Sequence, residues 1–335
     1  MSAALDRAVA SWNTFWFRPV ETSSLALIRV GFALVVLGWS ISIGHDVLSF
    51  FSHDGLLPAQ PDYGASGDTG RWGLLGFASG HATVLGVHAA LIVSAVLVLV
   101  GFGTRAASVV VFLCLVAFTR RDPWVMNSGD ALLRVLALYV ALAPAGAALS
   151  VDRWLEVRRS GQAFWAFPAR APWALRLIQV QLSIIYLTAF WLKSGGEAWR
   201  EGTAVSYALR VGDLERLPVP GFVTSSLLLA NLMTYGAMVL ELAIAVLVWN
   251  RVLRPWVLLA GVALHLGIDY SIRVGFFSWA VLVCYLAFIP PTTASAWLLA
   301  LRDRLTPLVG ATRVGRAAGK TAGPSSGVPT DVRPG

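Results

Sequence analysis

Long apolar segments alternate along the chain with short connections that carry most of the charged residues. A bilayer hydrocarbon core of about 30 Å requires about 20 apolar residues in helical conformation, and eight segments approach this length. The sequence therefore predicts eight membrane-spanning helices, at residues 25–44, 81–103, 104–118, 130–149, 172–193, 225–249, 252–272 and 274–290.

Shorter segments flank this membrane domain, which we place at residues 25–291. Residues 1–24 mix aromatic and charged side chains, a pattern typical of a segment at the membrane interface. Residues 292–304 are expected to form a second interfacial helix, and residues 305–335 lack apolar periodicity and are predicted to be disordered. The expected fold class is an all-α polytopic membrane bundle of about eight transmembrane helices with interfacial helices.

The composition agrees with a lipid solvent. Hydrophobic residues make up 57% of the 335 positions and charged residues 13%, whereas soluble domains contain about 45–50% and about 25%. This excludes a soluble globular enzyme.

The net charge of +8 comes mainly from arginines in the connections. Fifteen Lys and Arg residues lie in one set of alternate connections and eight in the other. This bias predicts that both termini are cytoplasmic in a multi-pass protein of the cell membrane. The arginines form no single stripe, so nucleic acid is not an expected partner.

Lysine is rare in this chain, which makes one position conspicuous. Lys320 lies in the predicted tail, and Lys193 ends the fifth predicted span. Gln179, Tyr186 and Lys193 recur every seven residues, which is two helical turns, so they form a polar line on one helix face. Such a line indicates a buried seam or a lined cavity. Lys193 is then either an anchor that extends to the interface or a desolvated amine that acts as a base.

Other ionisable residues within the spans are candidates because each costs at least about 2.5–3.5 kcal/mol at a helix centre. Asp130 and Arg134 have the i,i+4 spacing of an ion pair. His265 and Asp269 repeat this spacing, and the carboxylate would orient the imidazole for acid–base work. The alternative is a core histidine with satisfied hydrogen bonds. Glu241 has no partner on its own helix and is expected to take one from another helix.

No metal site is predicted. Cys114 and Cys284 lie inside apolar runs, and the chain contains no zinc-type ligand spacing, P-loop or catalytic triad pattern. The connections at 43–80 and 194–224 are the long ones on the predicted outer side, so we expect a site on the outer face.

The segment at residues 186–204, YLTAFWLKSGGEAWREGTA, resembles the signature of the HTTM family. These are membrane domains related to vitamin K-dependent gamma-glutamyl carboxylase. Further stretches resemble family elements in the same order, so that the resemblance covers residues 17–291. The matching positions in the signature are Tyr186, Ala189, Lys193, Trp199 and Gly202, and the further stretches are Arg29 to Gly31, Asn127 to Asp130 with Arg134, and His265 with Gly275 to Trp279.

The resemblance implies quinone chemistry. In the carboxylase a lysine deprotonates reduced vitamin K, and that lysine corresponds by position to Lys193. The leading interpretation is a carboxylase- or epoxidase-like enzyme that binds a quinol, either menaquinone or vitamin K hydroquinone. The candidate catalytic residues are Lys193, His265 and Asp130, and the candidate binding residues are Tyr186, Trp199, Arg134, Gln179, Asp269, Glu241 and Arg29.

The sequence departs from the carboxylase pattern, since Leu192 and Lys193 stand where the carboxylase has two adjacent lysines, and no large lumenal region follows the membrane part. An alternative is a non-enzymatic membrane protein that matures or exports a secreted peptide, similar to the sporulation-delaying toxin maturation proteins. A transporter is a third alternative, although no interrupted helices in inverted halves are evident. The expected partners are the lipid bilayer, a quinone, and a small peptide or protein substrate, and the composition suggests a bacterial source.

Overall fold

The computed structural model describes residues 2–56 and 73–318, with side chains from residue 3 to residue 304. This part of the chain forms α-helices connected by short links, with one two-stranded antiparallel sheet of β1 (Val20–Glu21) and β2 (Ala169–Arg170). Two 3-10 turns lie at Gly212–Leu214 and Leu286–Phe288.

The described residues before β2 form eight helices. They are α1 (Ser2–Phe17), α2 (Ser23–Ile43), α3 (Val47–Phe51), α4 (Leu74–Phe77), α5 (His81–Val100), α6 (Thr104–Arg121), α7 (Ser128–Leu142) and α8 (Val151–Ser160).

The second half contains a further eight helices within the described residues. They are α9 (Trp173–Gly195), α10 (Glu197–Arg200), α11 (Ala204–Ala208), α12 (Gly221–Ser225), α13 (Leu227–Leu247), α14 (Arg254–Ser271), α15 (Phe277–Tyr285) and α16 (Pro291–Ala318).

Each predicted span has a helix at its place, but the count of eight membrane spans is not confirmed. Among the described residues, α2, α5, α9 and α13 are long and apolar enough to cross a membrane. A fifth span exists only if residues 277–288 and 291–304, which meet at 103°, count as one. The α7 helix has only 15 residues, α6 carries three arginines, and polar side chains lower the hydropathy of α14.

Two predicted boundaries differ from the observed helices. The fourth span was expected to reach residue 149, whereas α7 ends at Leu142 because Pro144 follows closely and cannot continue the helix. The α16 helix continues beyond residue 304, where the interfacial helix is predicted to end and disorder to begin. Residues 57–72 and 319–335, which include part of the connection at 43–80 and the end of the predicted disordered tail, lie outside the described residues.

The connections gather at two opposite ends of the bundle. At the first end, Thr104 Oγ1 donates to Asp152 Oδ2 at 2.7 Å and Ser23 Oγ donates to Pro291 O at 2.7 Å. We call it the arginine-rich end, and it comprises residues 18–22, 101–103, 143–172, 248–253 and 290–304. Consecutive long helices link the two ends, so they run antiparallel to their neighbours in sequence.

The second end, which we call the cleft end, comprises residues 44–56, 73–80, 122–127, 196–226 and 272–276. Arg121 Nη2 donates to Ser52 O at 2.5 Å there, and the backbone N–H of Arg273 donates to Leu214 O at 2.7 Å. The segment at 196–226 is therefore fixed to the link between α14 and α15. We call this segment the outer segment.

The bundle has a tightly packed half and a looser half. In the packed half, formed by α2, α5, α6, α7 and α15, the ring of Phe118 contacts Phe51 at 4.8 Å and Trp39 at 5.9 Å between centroids. A Cβ atom built on Gly129 would lie 2.7 Å from the backbone of Phe277, so α7 and α15 touch backbone to backbone. Most side chains of α13 and α14 remain outside the core.

This packing predicts opposite effects for two glycine substitutions. Gly129→Ala should lower the unfolding temperature, since overpacking costs about 1–3 kcal/mol. Gly86→Ala on α5 meets nothing within 4 Å and should raise that temperature, because alanine favours helix by about 0.5–1 kcal/mol. Thermal unfolding of both variants in detergent measures the difference, and equal shifts would contradict backbone contact at Gly129.

Candidate functional site

A cleft of about 840 Å³ lies in the looser half of the bundle. The α13 and α14 helices form its walls, and the end of α9, the outer segment and the starts of α7 and α15 close it. The lining is mainly apolar. Its polar members are Asn127, Ser128, Lys193, Trp199, Glu241, Tyr270, Ser271 and Arg273.

Small residues on the facing sides of α13 and α14 keep the cleft open. Gly236 and Ala237 line it from α13, and Ala260, Ala263 and Gly267 line it from α14. A Cβ atom added to Gly236 or to Gly267 would meet nothing within 4 Å. The cleft is therefore a property of the sequence, which places small side chains at helical spacing on both walls.

The polar centre of the cleft is an ion pair between two helices. Lys193, in the last turn of α9, binds Glu241 of α13 through Nζ and Oε1. The two side chains are 26% and 9% exposed. This confirms the expectation that Glu241 takes its partner from another helix. Lys193 Nζ also lies 4.8 Å from the centroid of the Trp199 ring, so the ammonium group is held by a carboxylate and an aromatic face.

One carboxylate oxygen of this ion pair has no hydrogen-bond donor among the described residues. Glu241 Oε2 is buried and has no hydrogen-bond partner among the described residues. A buried acceptor without a donor costs about 1–3 kcal/mol, and this oxygen belongs to a residue that lines the cleft. It is available to a hydroxyl group of a bound molecule.

A hydrogen-bonded chain of three side chains lies beside the ion pair. The hydroxyl of Tyr186 is 2.7 Å from His265 Nε2 and also bonds to the hydroxyl of Tyr285. Sequence reasoning did not identify Tyr285. Its only sequence signal is Gly261 on α14, where an added Cβ would lie 2.9 Å from Tyr285 Cζ, so the glycine makes room for the phenol.

The number of hydrogen-bond donors among these three side chains assigns the direction of the hydrogen bonds between them. If Tyr285 donates to Tyr186 and Tyr186 donates to Nε2, His265 carries its proton on Nδ1, and only that N–H lacks a partner among the described residues. The opposite direction would leave both the Tyr285 proton and the Nδ1 lone pair without partners. The first arrangement costs less, so we assign His265 as a neutral imidazole protonated on Nδ1.

The expected pairing of His265 with Asp269 does not form. Asp269 Oδ2 instead forms an ion pair with Arg216 Nη1 of the outer segment at 2.7 Å, and this Nη1 donates a hydrogen bond to Asp269 O at 3.1 Å. The backbone N–H of Arg216 donates to Ser271 O at 3.1 Å. A guanidinium from another segment gives Asp269 a full charge partner, which a neutral imidazole cannot. No local pattern in the sequence indicated Arg216.

The predicted ion pair between Asp130 and Arg134 is also absent. Asp130 Oδ2 accepts the backbone N–H of Asn127 at 2.7 Å, and Oδ1 accepts the indole N–H of Trp39 at 2.7 Å. Asn127 Oδ1 in turn accepts the backbone N–H of Gly129 at 2.7 Å and that of Asp130 at 3.4 Å, and the second of these bonds completes a capping box at the start of α7. Both oxygens of Asp130 are thus engaged, and the residue fixes the cleft end of α7.

Gln179 lies on the polar line of α9 but far from the cleft. Its Nε2 donates to Ala287 O at 2.6 Å, and its Oε1 accepts from Arg176 Nη1 at 2.8 Å. The predicted line from Gln179 to Lys193 is therefore a buried seam at one end and a cavity lining at the other.

Arg29 is fully buried at the arginine-rich end and takes no part in the cleft. Its Nη2 donates to Leu149 O at 2.5 Å, and Gly101 leaves space for the guanidinium, since an added Cβ would lie 2.9 Å from Cζ. The structure thus brings together Tyr186, Lys193, Trp199, Glu241 and His265, with Asp269 nearby, and leaves Arg29, Gln179 and Arg134 outside the cleft.

The described residues contain no cluster of three or more His, Cys, Asp or Glu side chains that could hold a metal ion. The outer connection has a histidine–carboxylate pair, in which His81 Nε2 lies 2.8 Å from Asp54 Oδ1. Hydrogen bonds from Ser52 and His81 lower the pKa of Asp54 to about 2. The pair is exposed, so it stabilises the local connection rather than forming an enclosed site.

A family comparison covers most of these elements. The family model described as HTTM domain matches residues 17–292 of the chain, which includes α2 to α15 and every residue of the cleft. Searches among curated proteins and among solved structures give no match.

The ion pair predicts strongly non-additive stability effects. Lys193→Gln or Glu241→Gln alone should reduce the free energy of unfolding by about 3 kcal/mol, because each leaves a buried charge unpaired. The double variant should lose much less free energy of unfolding than the sum of the two single losses. Unfolding of the three variants in detergent measures this, and additive losses would show that the two charges do not interact.

The hydrogen-bonded chain predicts the tautomer of His265. In protein labelled with ¹⁵N-histidine, the His265 signals, assigned by their loss in His265→Asn, should show a protonated Nδ1 and a bare Nε2. Tyr186→Phe should abolish this preference because it removes the hydroxyl that bonds Nε2. A protonated Nε2 in the unaltered protein would contradict the assigned direction.

Proposed function

The chain belongs to the HTTM domain family, and from this premise we propose that it is a membrane enzyme that binds and oxidises a quinol in the cleft. We assign Lys193 as the base, in a manner similar to the vitamin K-dependent carboxylase, and a menaquinone-type ring as the ligand. One observation carries the proposal. A lysine paired with a carboxylate lies at the polar centre of a large and mainly apolar cleft.

The residues of the cleft fit the chemistry of a quinol, which combines an aromatic ring bearing two hydroxyls with an apolar tail. Glu241 Oε2 has no hydrogen-bond donor among the described residues and can accept a hydrogen bond from a hydroxyl group of the ring. Trp199 supplies an aromatic surface. The small and aliphatic side chains of α13 and α14 suit the tail.

The cleft is accessible from the side of the bundle, where lipid would lie. Leu232 and Tyr270 both line it and are 65% and 52% exposed. A ligand dissolved in the bilayer can therefore approach between α13 and α14 without crossing water. This access supports a lipid-soluble substrate.

The Lys193–Glu241 contact can supply a base without a change in total charge. One proton transfer along it converts an ammonium and a carboxylate into a neutral amine and a carboxylic acid. A low-dielectric site favours the neutral pair more than water does. In that form Lys193 Nζ can accept a hydroxyl proton, while Glu241 retains the transferred one. A bound quinol would give up two electrons and two protons, the first proton through Lys193 Nζ. Dioxygen would accept both electrons and both protons, which yields the quinone and hydrogen peroxide.

Other residues of the site then hold this pair in position. Trp199 covers the lysine, Asp130 fixes the start of α7, and the Arg216–Asp269 pair holds the outer segment near the cleft. His265, bonded through Nε2 to Tyr186, is oriented beside the pair by the tyrosine chain.

We also propose that the arginine-rich end faces the cytoplasm of the cell membrane, with both termini on that side. The arginines concentrated there support this orientation. The cleft end would then lie on the outer face.

A second candidate is a role in the maturation or export of a secreted peptide. One observation favours it, because the outer segment carries exposed apolar side chains that a peptide could cover. They are Tyr207, Val211, Leu214, Leu217 and Phe222.

A substitution that fills the cleft tests the quinol proposal. Gly236→Leu places a side chain in open space of the cleft, whereas Gly86→Leu does the same on the outside of α5. Mass spectrometry of purified protein should detect menaquinone in the unaltered chain and in Gly86→Leu, and a strongly reduced amount in Gly236→Leu. Equal menaquinone in all three would contradict binding in the cleft.

Turnover tests the role of Lys193 separately. Quinol-dependent oxygen uptake should fall by about 10²–10⁴-fold in Lys193→Ala, while Gly86→Leu should keep full activity. Lys193→Ala with unchanged uptake would overturn the assignment. Absence of menaquinone and of uptake, together with recovery of a secreted peptide on the purified protein, would favour the second candidate.

A further inference from the structure

We propose that three arginines at the arginine-rich end, Arg176, Arg251 and Arg254, bind the phosphate of an anionic phospholipid headgroup. We call them the arginine cluster. They lie at the opposite end of the bundle from the cleft, so this site is independent of the quinol proposal.

Two helices begin at the arginine cluster. Arg176 lies near the start of α9, Arg254 is the first residue of α14, and Arg251 lies in the link before it. A helix start carries a partial positive charge and usually attracts acidic side chains. Neither helix has an acidic residue in its first turn. Backbone and side-chain charges therefore add up to a strongly positive site.

Within the described part of the chain, no carboxylate neutralises the arginine cluster. None of the ion pairs there includes any of its three members. Arg254 instead experiences the like charge of Arg251, and Arg176 that of Arg254. An anion bound between these groups would convert repulsion into attraction.

Donors remain available for such an anion. Arg254 uses Nε for Val248 O at 2.8 Å, and Arg176 uses Nε for Phe15 O at 3.2 Å and Nη1 for Gln179. Both terminal nitrogens of Arg254 make no hydrogen bond to the described residues, and the same holds for Nη2 of Arg176. Guanidinium groups fit the oxygens of a phosphate particularly well.

An aromatic row links the two half-buried arginines. Arg176 Cζ lies 4.7 Å from the Phe15 ring, and Arg254 Cζ lies 5.9 Å from the Phe288 ring. Trp249 stands between these rings, 6.0 Å from Phe15 and 5.6 Å from Phe288. Tryptophan concentrates at the level of lipid headgroups, so Trp249 in this row supports a position of the cations at the depth of lipid phosphates.

The surroundings favour a lipid over free phosphate. Val252 and Trp256, which flank Arg251 and Arg254 in sequence, are 76% and 69% exposed. An apolar surface beside a cationic one suits a molecule with acyl chains and an anionic headgroup. Inorganic phosphate would use only the cations and leave the apolar surface uncovered.

Native mass spectrometry of the detergent-purified chain tests the site. Phosphatidylglycerol, phosphatidylcholine and inorganic phosphate are the three probes, and Arg176→Gln/Arg254→Gln is compared with Arg105→Gln, an exposed arginine in the first turn of α6 at the same end. We expect the unaltered chain to retain phosphatidylglycerol. The affinity for phosphatidylglycerol should fall about tenfold in the double variant and change little in the control.

A second measurement protects the test against a folding defect. Phosphatidylglycerol should raise the unfolding temperature of the unaltered chain, and the exposed variant Arg251→Gln should reduce that rise while unfolding at the same temperature without lipid. Equal binding of phosphatidylcholine, or equal losses in the double variant and the control, would overturn the site. If inorganic phosphate alone raised the unfolding temperature, the bound phosphate group would not come from a lipid headgroup.

Discussion

One charge pair in mainly apolar surroundings constrains how the helices of this bundle pack around the cleft. Neither Lys193 nor Glu241 could remain charged alone at this depth, because an isolated charge away from water costs several kcal/mol. Their contact therefore fixes the end of α9 against the middle of α13. The remaining polar groups of the cleft, including Trp199 and the tyrosine chain, are arranged around a contact that the two helices must make.

Glycine serves opposite purposes in the two halves of the bundle. Gly129 lets α7 touch the backbone of α15, and this contact helps to make the packed half rigid. Gly236 and Gly267 face empty space and leave the looser half open. A packed frame on one side and a gap between two exposed helices on the other is a common arrangement for a binding site.

The sequence predicted the features that depend on local spacing or on the cost of a charge. The line from Gln179 to Lys193 and the need of Glu241 for a distant partner are of this kind. It failed where partners come from elsewhere in the chain, as Arg216 does for Asp269 and Tyr285 for Tyr186. Asp130 shows a third case. The i,i+4 spacing predicted an ion pair with Arg134, but the backbone N–H of Asn127 and the indole of Trp39 bind the two carboxylate oxygens instead. The count of eight spans stays a prediction, because α6, α7 and α14 are shorter or more polar than the four helices that are long and apolar enough to cross a membrane.

The exposure of Leu232 and Tyr270 in the cleft lining bears on how the proposed ligand would be chosen. Such a ligand would reach the cleft by diffusion in two dimensions, after it has partitioned into the bilayer. A sparingly water-soluble compound would be concentrated there by orders of magnitude, so a weak intrinsic affinity would be enough to fill the cleft, whereas a polar molecule would be excluded before it meets a side chain. Under the proposed function, membrane composition would thus become part of the protein's specificity.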